Sequence, residues 1–521
     1  MQISLALLSC VLSVALAAQN ILAAPSPLPL PGVDNDLDGD KQLNDGLPAD
    51  IFHYMGQYSP RYLVKDDTTL VPPGCQVSAV SSLERHGARH FTSGALKNAQ
   101  ATLKTLKTAL SPATNVPDNL RFIANYTIGT ETGSLVPYGA LQAYLSGKST
   151  AKVYPGLSGR SAKLFVRSSG DEALGDDRVI VTAKYWRLGF EGKPFPSGDF
   201  STSAQIRAAP GLTEPDVVFS ELTGQNNTLD VSTCTNENNL PSSQRESGAQ
   251  SRYGASTLLP TIGARLQQVI KDAGGANVTL TYSDILNIGN LCSFETLGLS
   301  TVQSGSLQLP NGKISPWCNI FNHDEWPLYG YALDVGKWTG AGYGNPYYKA
   351  LGQGYIRELL ARFNGKLPPA LDKPTSLNST IDGSNATFPT PPAKSVFFDG
   401  SHDNNVGPIA AAFGLFDGPA LQTSSHAGQA PHNWVFSRIA PLQGKIVFEK
   451  ITCGVPNTPL PLSQDYLRVR ANGAIQSPSN ASWCPDAGLD PLSRLGLCKL
   501  SSVNKALDWV NTDTEWQKCF A

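Results

Sequence analysis

QVSAVSSLERHGARHFTSGALKNAQATLKTLKTAL, residues 76–110, is the stretch whose reading decides the fold. Gln76–Leu83 alternates well enough for a buried strand. Ala95–Leu110 carries apolar residues at helical spacing. Between strand and helix lies Arg85-His86-Gly87-Ala88-Arg89. In an open α/β sheet, ligands bind beyond the carboxyl ends of the strands, so this loop is a place for chemistry. Imidazole offers an unprotonated nitrogen near or below neutral pH. Arg85 and Arg89 can fork onto the oxygens of an anion, so that His86 can approach it. Gly87 lets the backbone turn and the anion come close. A nucleophile between guanidinium groups suits transfer of a phosphoryl group.

The same order recurs along the chain. Ala162–Val166 reads as a strand that ends at Arg167-Ser168-Ser169-Gly170. Ser395–Phe398 is a short buried strand running into Asp399-Gly400-Ser401-His402-Asp403, and Pro408–Phe416 then looks helical. Ser256–Ala273 and Tyr355–Phe363 have helical patterns, and Lys445–Thr452 with Tyr466–Ala471 read as late strands of a hairpin. Three strand ends thus deliver Arg85-His86, Arg167 and His402-Asp403. The expected division is an α/β domain in two parts, residues 49–177 and 392–521, with a mostly helical insertion, residues 178–391, roofing the site. An alkoxide leaves poorly, and a positioned carboxylic acid such as Asp403 removes that penalty and, once ionised, can activate water. A rival pair, His323-Asp324, lacks a preceding strand.

Composition narrows the class. The 521 residues are 41% hydrophobic, enough for a substantial core, and the formal net charge of -2 gives no basic excess for binding nucleic acid. Residues 1–18 are apolar with small residues before Ala18, as in a secretory signal peptide, and residues 19–48 read as a pro-segment or flexible linker. Asp34, Asp36, Asp38 and Gly39 mimic the start of a calcium loop, but Asp45 stands where glutamate is needed. No later stretch is long and apolar enough to cross a membrane. Eight cysteines follow the signal segment: Cys75, Cys234, Cys292, Cys318, Cys453, Cys484, Cys498 and Cys519. An even count in an exported chain predicts disulfides and leaves their pairing open. Sequons at Asn125, Asn226, Asn277, Asn378, Asn385 and Asn480 predict a secreted, extracellular glycoprotein. No metal-ligand cluster, Walker loop or G-x-S-x-G elbow occurs, so no cofactor or metal is expected, and a monomer is the default.

At RHGAR the sequence resembles the histidine acid phosphatase family, whose signature is RHGxR. SPWCNIFNHDEW (315–326), GAGYGNP (340–346), GQGYIRELLARF (352–363), SHDN (401–404) and the terminal CFA are similar to segments of the secreted fungal phytases. The resemblance runs from about Cys75 to Ala521 and implies the phosphoglycerate mutase-like histidine phosphatase fold. It implies His86 as nucleophile, Asp403 as acid, and Arg85, Arg89, Arg167 and His402 as phosphate ligands. In those phytases the HDEW segment is not catalytic. They also share the Arg-Val-Ile that begins at Arg178, although the acidic stretch 171–177 before it is longer in this chain. The resemblance pairs Cys75 with Cys453, Cys234 with Cys519, Cys292 with Cys318, and Cys484 with Cys498. It points to Thr92, Lys97, Glu295 and Lys337 as specificity residues. The implied substrate is a small phosphomonoester, phytate first. A broad acid phosphatase or a multiple inositol polyphosphate phosphatase is the alternative within the same chemistry. A non-catalytic binding module is the alternative outside it.

Overall fold

The structure, a computed structural model, describes residues 47–65, 71–157, 163–171, 177–369, 375–423, 431–454 and 463–521. The expected signal peptide, the calcium-loop mimic and residues 172–176 of the acidic stretch lie outside these. The predicted strand at Gln76–Leu83 is β1, Cys75–Arg85. Five further strands build on it: β2 (Leu164–Ser169), β3 (Val217–Phe219), β4 (Val396–Ser401), β5 (Lys445–Gly454) and β6 (Ser463–Ala471). Two short ones, β7 (Ala474–Ile475) and β8 (Cys498–Lys499), complete an eight-stranded sheet. Its order is β7-β6-β5-β1-β4-β2-β3, with β8 on β6. The pairs β1–β4, β4–β2 and β2–β3 are parallel, whereas β5–β6 is the expected antiparallel hairpin, joined to β1. β3 comes from the stretch expected to be mainly helix and loop, so the edge of the sheet draws on it.

The central strands are apolar on both faces, as a covered parallel sheet requires. One face packs Val80, Val166, Val396 and Phe398 against Ala183, Trp186 and Phe190 of α3 (Arg178–Phe190), which lies beside α2 (Pro137–Val153). The other packs Ala79, Leu83, Ile446 and Phe448 against Tyr355, Leu359 and Phe363 of α7 (Tyr348–Phe363) and Val406, Ile409 and Phe413 of α8 (Asp403–Phe413). The result is a three-layer α/β/α body. A second apolar cluster joins α1 (Ser93–Leu110), α5 (Tyr282–Gly298) and α6 (Trp326–Ala341). The helical pattern at Ser256–Ala273 is realised in two pieces, a π-helical stretch Gly254–Gly263 and an α-helix Ala264–Asp272. Pro260 sits inside the first and has no N–H to give, which breaks the regular ladder there.

All four disulfides pair as the resemblance implied. Cys75 and Cys453 face each other in the register of β1 and β5. Among the described residues, no helix is long and apolar enough to cross a membrane.

Candidate active site

Arg85 ends β1, and the backbone of His86 is clamped to the end of β4 and to the turn that precedes β5. His86 N donates to Ser401 O at 3.1 Å, and Gln443 N donates to His86 O at 2.9 Å. The loop beyond is held from the α2–α3 layer. Gly87 N donates to Thr182 Oγ1 at 3.1 Å and Ala88 N to Gln142 Oε1 at 2.8 Å. Gly87 is not in left-handed backbone; glycine is needed because a Cβ there would lie 2.4 Å from Gly139 O on α2. Close packing, not an unusual turn, explains this residue.

The His86 ring is held in one tautomer. Nδ1 lies 2.8 Å from Gly87 O, and a carbonyl can only accept, so Nδ1 carries the hydrogen and Nε2 keeps its lone pair. Burial pushes the imidazole well below its ordinary pKa, and the charges of Arg85, Arg178 and Arg89 push it further. Both effects favour the neutral ring.

Asp403 opens helix α8, with His402 at the N-cap. Asp403 Oδ1 is 3.1 Å from Arg85 Nη2, and Oδ2 is 2.8 Å from Lys337 Nζ on α6. Burial alone would raise this carboxyl, but Arg85 and Lys337 win and hold it well below the usual range. The helix N-terminus adds to this in the same direction. Lys337 also meets Glu246 Oε2 at 3.0 Å and Asn404 Oδ1 at 2.7 Å. Glu246 opens α4 (Glu246–Tyr253) and accepts from Gln57 Nε2 at 3.4 Å. Arg85 Nη1 donates to the carbonyls of Gln57 and Ala440. Arg89 donates to His90 O at 2.8 Å and covers the ring of Phe294 on α5 at 5.6 Å.

The third arginine of the site is a correction. Arg167 does not face His86. Its Nε is 2.6 Å from Asp399 Oδ1 and its Nη2 is 2.7 Å from Glu358 Oε2, all fully buried. Arg362 Nη1 binds the other Asp399 oxygen at 3.0 Å. Asp399 stands opposite Arg167 in the register of β4 and β2, so both side chains leave the same sheet face, toward α7. Arg178, the first residue of α3, comes to the site instead, with Nη2 3.2 Å from His402 Nδ1. The sequence reading gives its Arg-Val-Ile no role. The signal available is its place at a helix start directly after a strand end and a polar loop.

His86 and His402 meet edge-on, with ring centroids 5.4 Å apart. His402 Nε2 is 2.8 Å from Glu221 Oε1. Glu221, Glu246 and Gln57 were not anticipated, since each lies far from its partner in sequence. Glu221, Asp230 and His402 come within 4.8 Å of one another, but that group is hydrogen-bonded internally and we read no metal site in it.

Of the expected specificity residues, only Lys337 joins this cluster. Thr92 precedes α1 and Lys97 lies on its exposed side, and neither has a polar contact with the cluster among the described residues. Glu295 is buried and accepts from Tyr126 Oη at 2.5 Å, and burial pushes its carboxyl up. The rival pair is at the surface: His323 is 70% exposed and 3.5 Å from Asp50 Oδ2. Of the sequon asparagines, Asn125, Asn277, Asn385 and Asn480 are exposed. Asn226 Nδ2 and Asn378 Nδ2 donate to backbone carbonyls, at 3.1 Å to Leu377 and 3.3 Å to Asn226.

The site can therefore place a neutral imidazole nitrogen and a carboxyl group beside at least four cations, Arg85, Arg89, Arg178 and Lys337. That arrangement fits an anion with several oxygens. The model of the histidine phosphatase superfamily (branch 2) matches residues 76–472. Phytase A of Aspergillus fumigatus is 31% identical over 477 residues, 90% of each chain. Phytase A of Aspergillus oryzae is 30% identical and aligns with 99% of this chain and 100% of its own. Among solved structures, the phytase from D. castellii matches with a TM-score of 0.62 at 18% identity, over 90% of this chain and 87% of that one. The multiple inositol polyphosphate phosphatase of Bifidobacterium longum, in complex with phosphate, matches with a TM-score of 0.54 at 14% identity, over 87% and 97%.

Proposed function

The chain belongs to the histidine phosphatase superfamily, branch 2, and from that premise we propose that it is a secreted acid phosphatase that hydrolyses phosphomonoesters, phytate above all, through a phosphohistidine. The observation that carries this reading is His86: a buried, neutral imidazole with its Nε2 lone pair free and three arginines around it.

The steps follow from the geometry. Arg85, Arg89 and Arg178 take the phosphoryl oxygens. The Nε2 lone pair of His86 forms a bond to phosphorus as the bond from phosphorus to the ester oxygen breaks. The leaving oxygen takes the proton of Asp403. Water then attacks the phosphohistidine and gives its proton to Asp403, which restores the acid and releases inorganic phosphate and neutral His86.

Asp403 is ionised while Arg85 and Lys337 hold it. A bound phosphate dianion competes for the same cations, and its own charge favours the protonated carboxyl. Asp403 thus becomes an acid when substrate arrives. Because burial and the neighbouring cations both favour the unprotonated form of His86, the two groups can reach the required states together under acid conditions.

The test is phosphate release from phytate near pH 5 by the parent and by His86→Ala. The expected result is strong release by the parent and a loss of at least about a thousandfold in the variant. Cleavage of an aryl phosphate with no action on phytate would keep the chemistry and replace the substrate. Inactivity of the parent on both would overturn the reading.

A further inference from the structure

His402 is held from both sides. A guanidinium only donates, so Arg178 Nη2, 3.2 Å away, makes His402 Nδ1 an acceptor. The ring hydrogen then sits on Nε2 and is donated to Glu221 Oε1 at 2.8 Å. Glu221 is itself built in. Ser169 Oγ, at the end of β2, donates to the same Oε1 at 2.6 Å. Asn227 Nδ2 donates to Ser169 Oγ at 2.9 Å and reaches Ser220 O at 3.4 Å. Burial would raise the Glu221 carboxyl, but His402, through its bond and through its charge when protonated, brings it below its ordinary value, and the bond from Ser169 and the charge of Arg178 add to this. Among the described residues, the other titratable or charged groups facing this ring are Asp230, within 4.8 Å, His86 at the end of β1, and Arg178 on α3. Asp403 follows His402 in the chain and is tied to Arg85 and Lys337.

This resting pattern cannot serve a phosphate. Nδ1 is an acceptor, and phosphoryl oxygens are acceptors too. The ring helps only if Nδ1 gains a hydrogen when Arg178 turns its donors to the substrate.

We propose that Glu221 is a positioning residue for the reaction: it anchors His402 through Nε2, and its negative charge lets Nδ1 take up a proton and donate to the bound phosphoryl group. The step adds one proton, from solvent or from a monoprotonated phosphate, and breaks no covalent bond. The resulting imidazolium is paired with the Glu221 carboxylate, and Arg178 is released to bind the anion. The proposal rests on His402 being a phosphate ligand.

Glu221→Gln separates anchoring from charge, because the amide oxygen can still accept from Nε2–H. The measurements are kcat and KM for phytate, and the inhibition constant of inorganic phosphate, from pH 3 to pH 7, with melting temperature as a check on folding. At pH 4 the variant should resemble the parent, since protons are plentiful. By pH 6 its KM and its phosphate inhibition constant should both have risen about tenfold relative to the parent, with the upper limb of kcat/KM moved down by about one pH unit. Parent-like constants at every pH would overturn the proposal. So would a pH-independent loss of kcat accompanied by a lowered melting temperature, which is the signature of a structural role. His402→Ala tests the premise separately. If phosphate inhibits that variant as it does the parent, His402 is not a phosphate ligand, whatever Glu221 does.

Discussion

Two arginines on either side of the acidic stretch have opposite fates. Arg167 pairs with Asp399 and Glu358 in the buried interior, whereas Arg178 reaches His402. Removing one partner of a buried ion pair leaves an uncompensated charge and costs about 3–5 kcal/mol. Arg167→Met is therefore expected to unfold at markedly lower denaturant. Arg178→Ala is expected to keep its midpoint and lose about a hundredfold in kcat/KM. Equilibrium unfolding and steady-state kinetics on both variants distinguish the two, and the opposite assignment would show the opposite pattern. Lys337 gives a second prediction at this scale. Its ammonium helps hold Asp403 below the usual carboxyl range. In Lys337→Met the acid should stay protonated to higher pH, so the basic limb of the kcat profile should move up. An unshifted limb would mean that Asp403 is not the acid.

At the scale of elements, the site depends on how closely helices approach the sheet. A Cβ on Gly139 of α2 would lie 2.1 Å from Ala88 O, so something in the loop after β1 must move. Gly139→Ala should destabilise by roughly 1–3 kcal/mol, as overpacking does, and lower kcat with it. A second element carries a pH dependence. Asp382 closes the short helix Ser379–Asp382, beside the Arg167 network. Burial pushes its carboxyl up to about 8, and Glu358 adds to the rise. The folded state then binds a proton that the unfolded chain releases near pH 4, so this group's contribution to stability falls as pH rises from about 4 to about 8. Asp382→Asn should flatten that fall in a series of melting temperatures. The variant should also carry Ser384→Ala, because an asparagine before Gly383 and Ser384 would otherwise complete a new sequon.

For the whole molecule, the disulfides set how far unfolding can spread. The Cys75–Cys453 bond joins residues 378 apart and ties the strand that carries His86 to its antiparallel neighbour. Long closed loops remove the most freedom from the unfolded chain, on the order of 4 kcal/mol. The double variant Cys75→Ser with Cys453→Ser should lose about that much by denaturant unfolding. It should keep its KM at temperatures where it stays folded, because the register of β1 and β5 also rests on backbone hydrogen bonds. The Cys484–Cys498 bond closes only 14 residues, and its loss should cost less.

Much of this protein was legible in its residues. The period-two run before RHGAR and the helical spacing after it are local, and the structure places β1 and α1 there. The same holds for β4 running into His402-Asp403, because a short apolar strand and a helix start are written in adjacent residues. An even cysteine count announced disulfides, but only the resemblance proposed their partners. What the chain alone could not settle is which way a side chain points at a strand end. Arg167 and Arg178 are both arginines near such an end, and a one-residue change in the pleat reverses the face. The register of β4 against β2 turned Arg167 toward Asp399 and left the pocket to Arg178. The same is true of Glu221 with His402 and of Glu246 with Lys337 and Asp403. Their partners are remote in sequence, so pairing depends on distances that exist only once sheet, helices and loops have packed together.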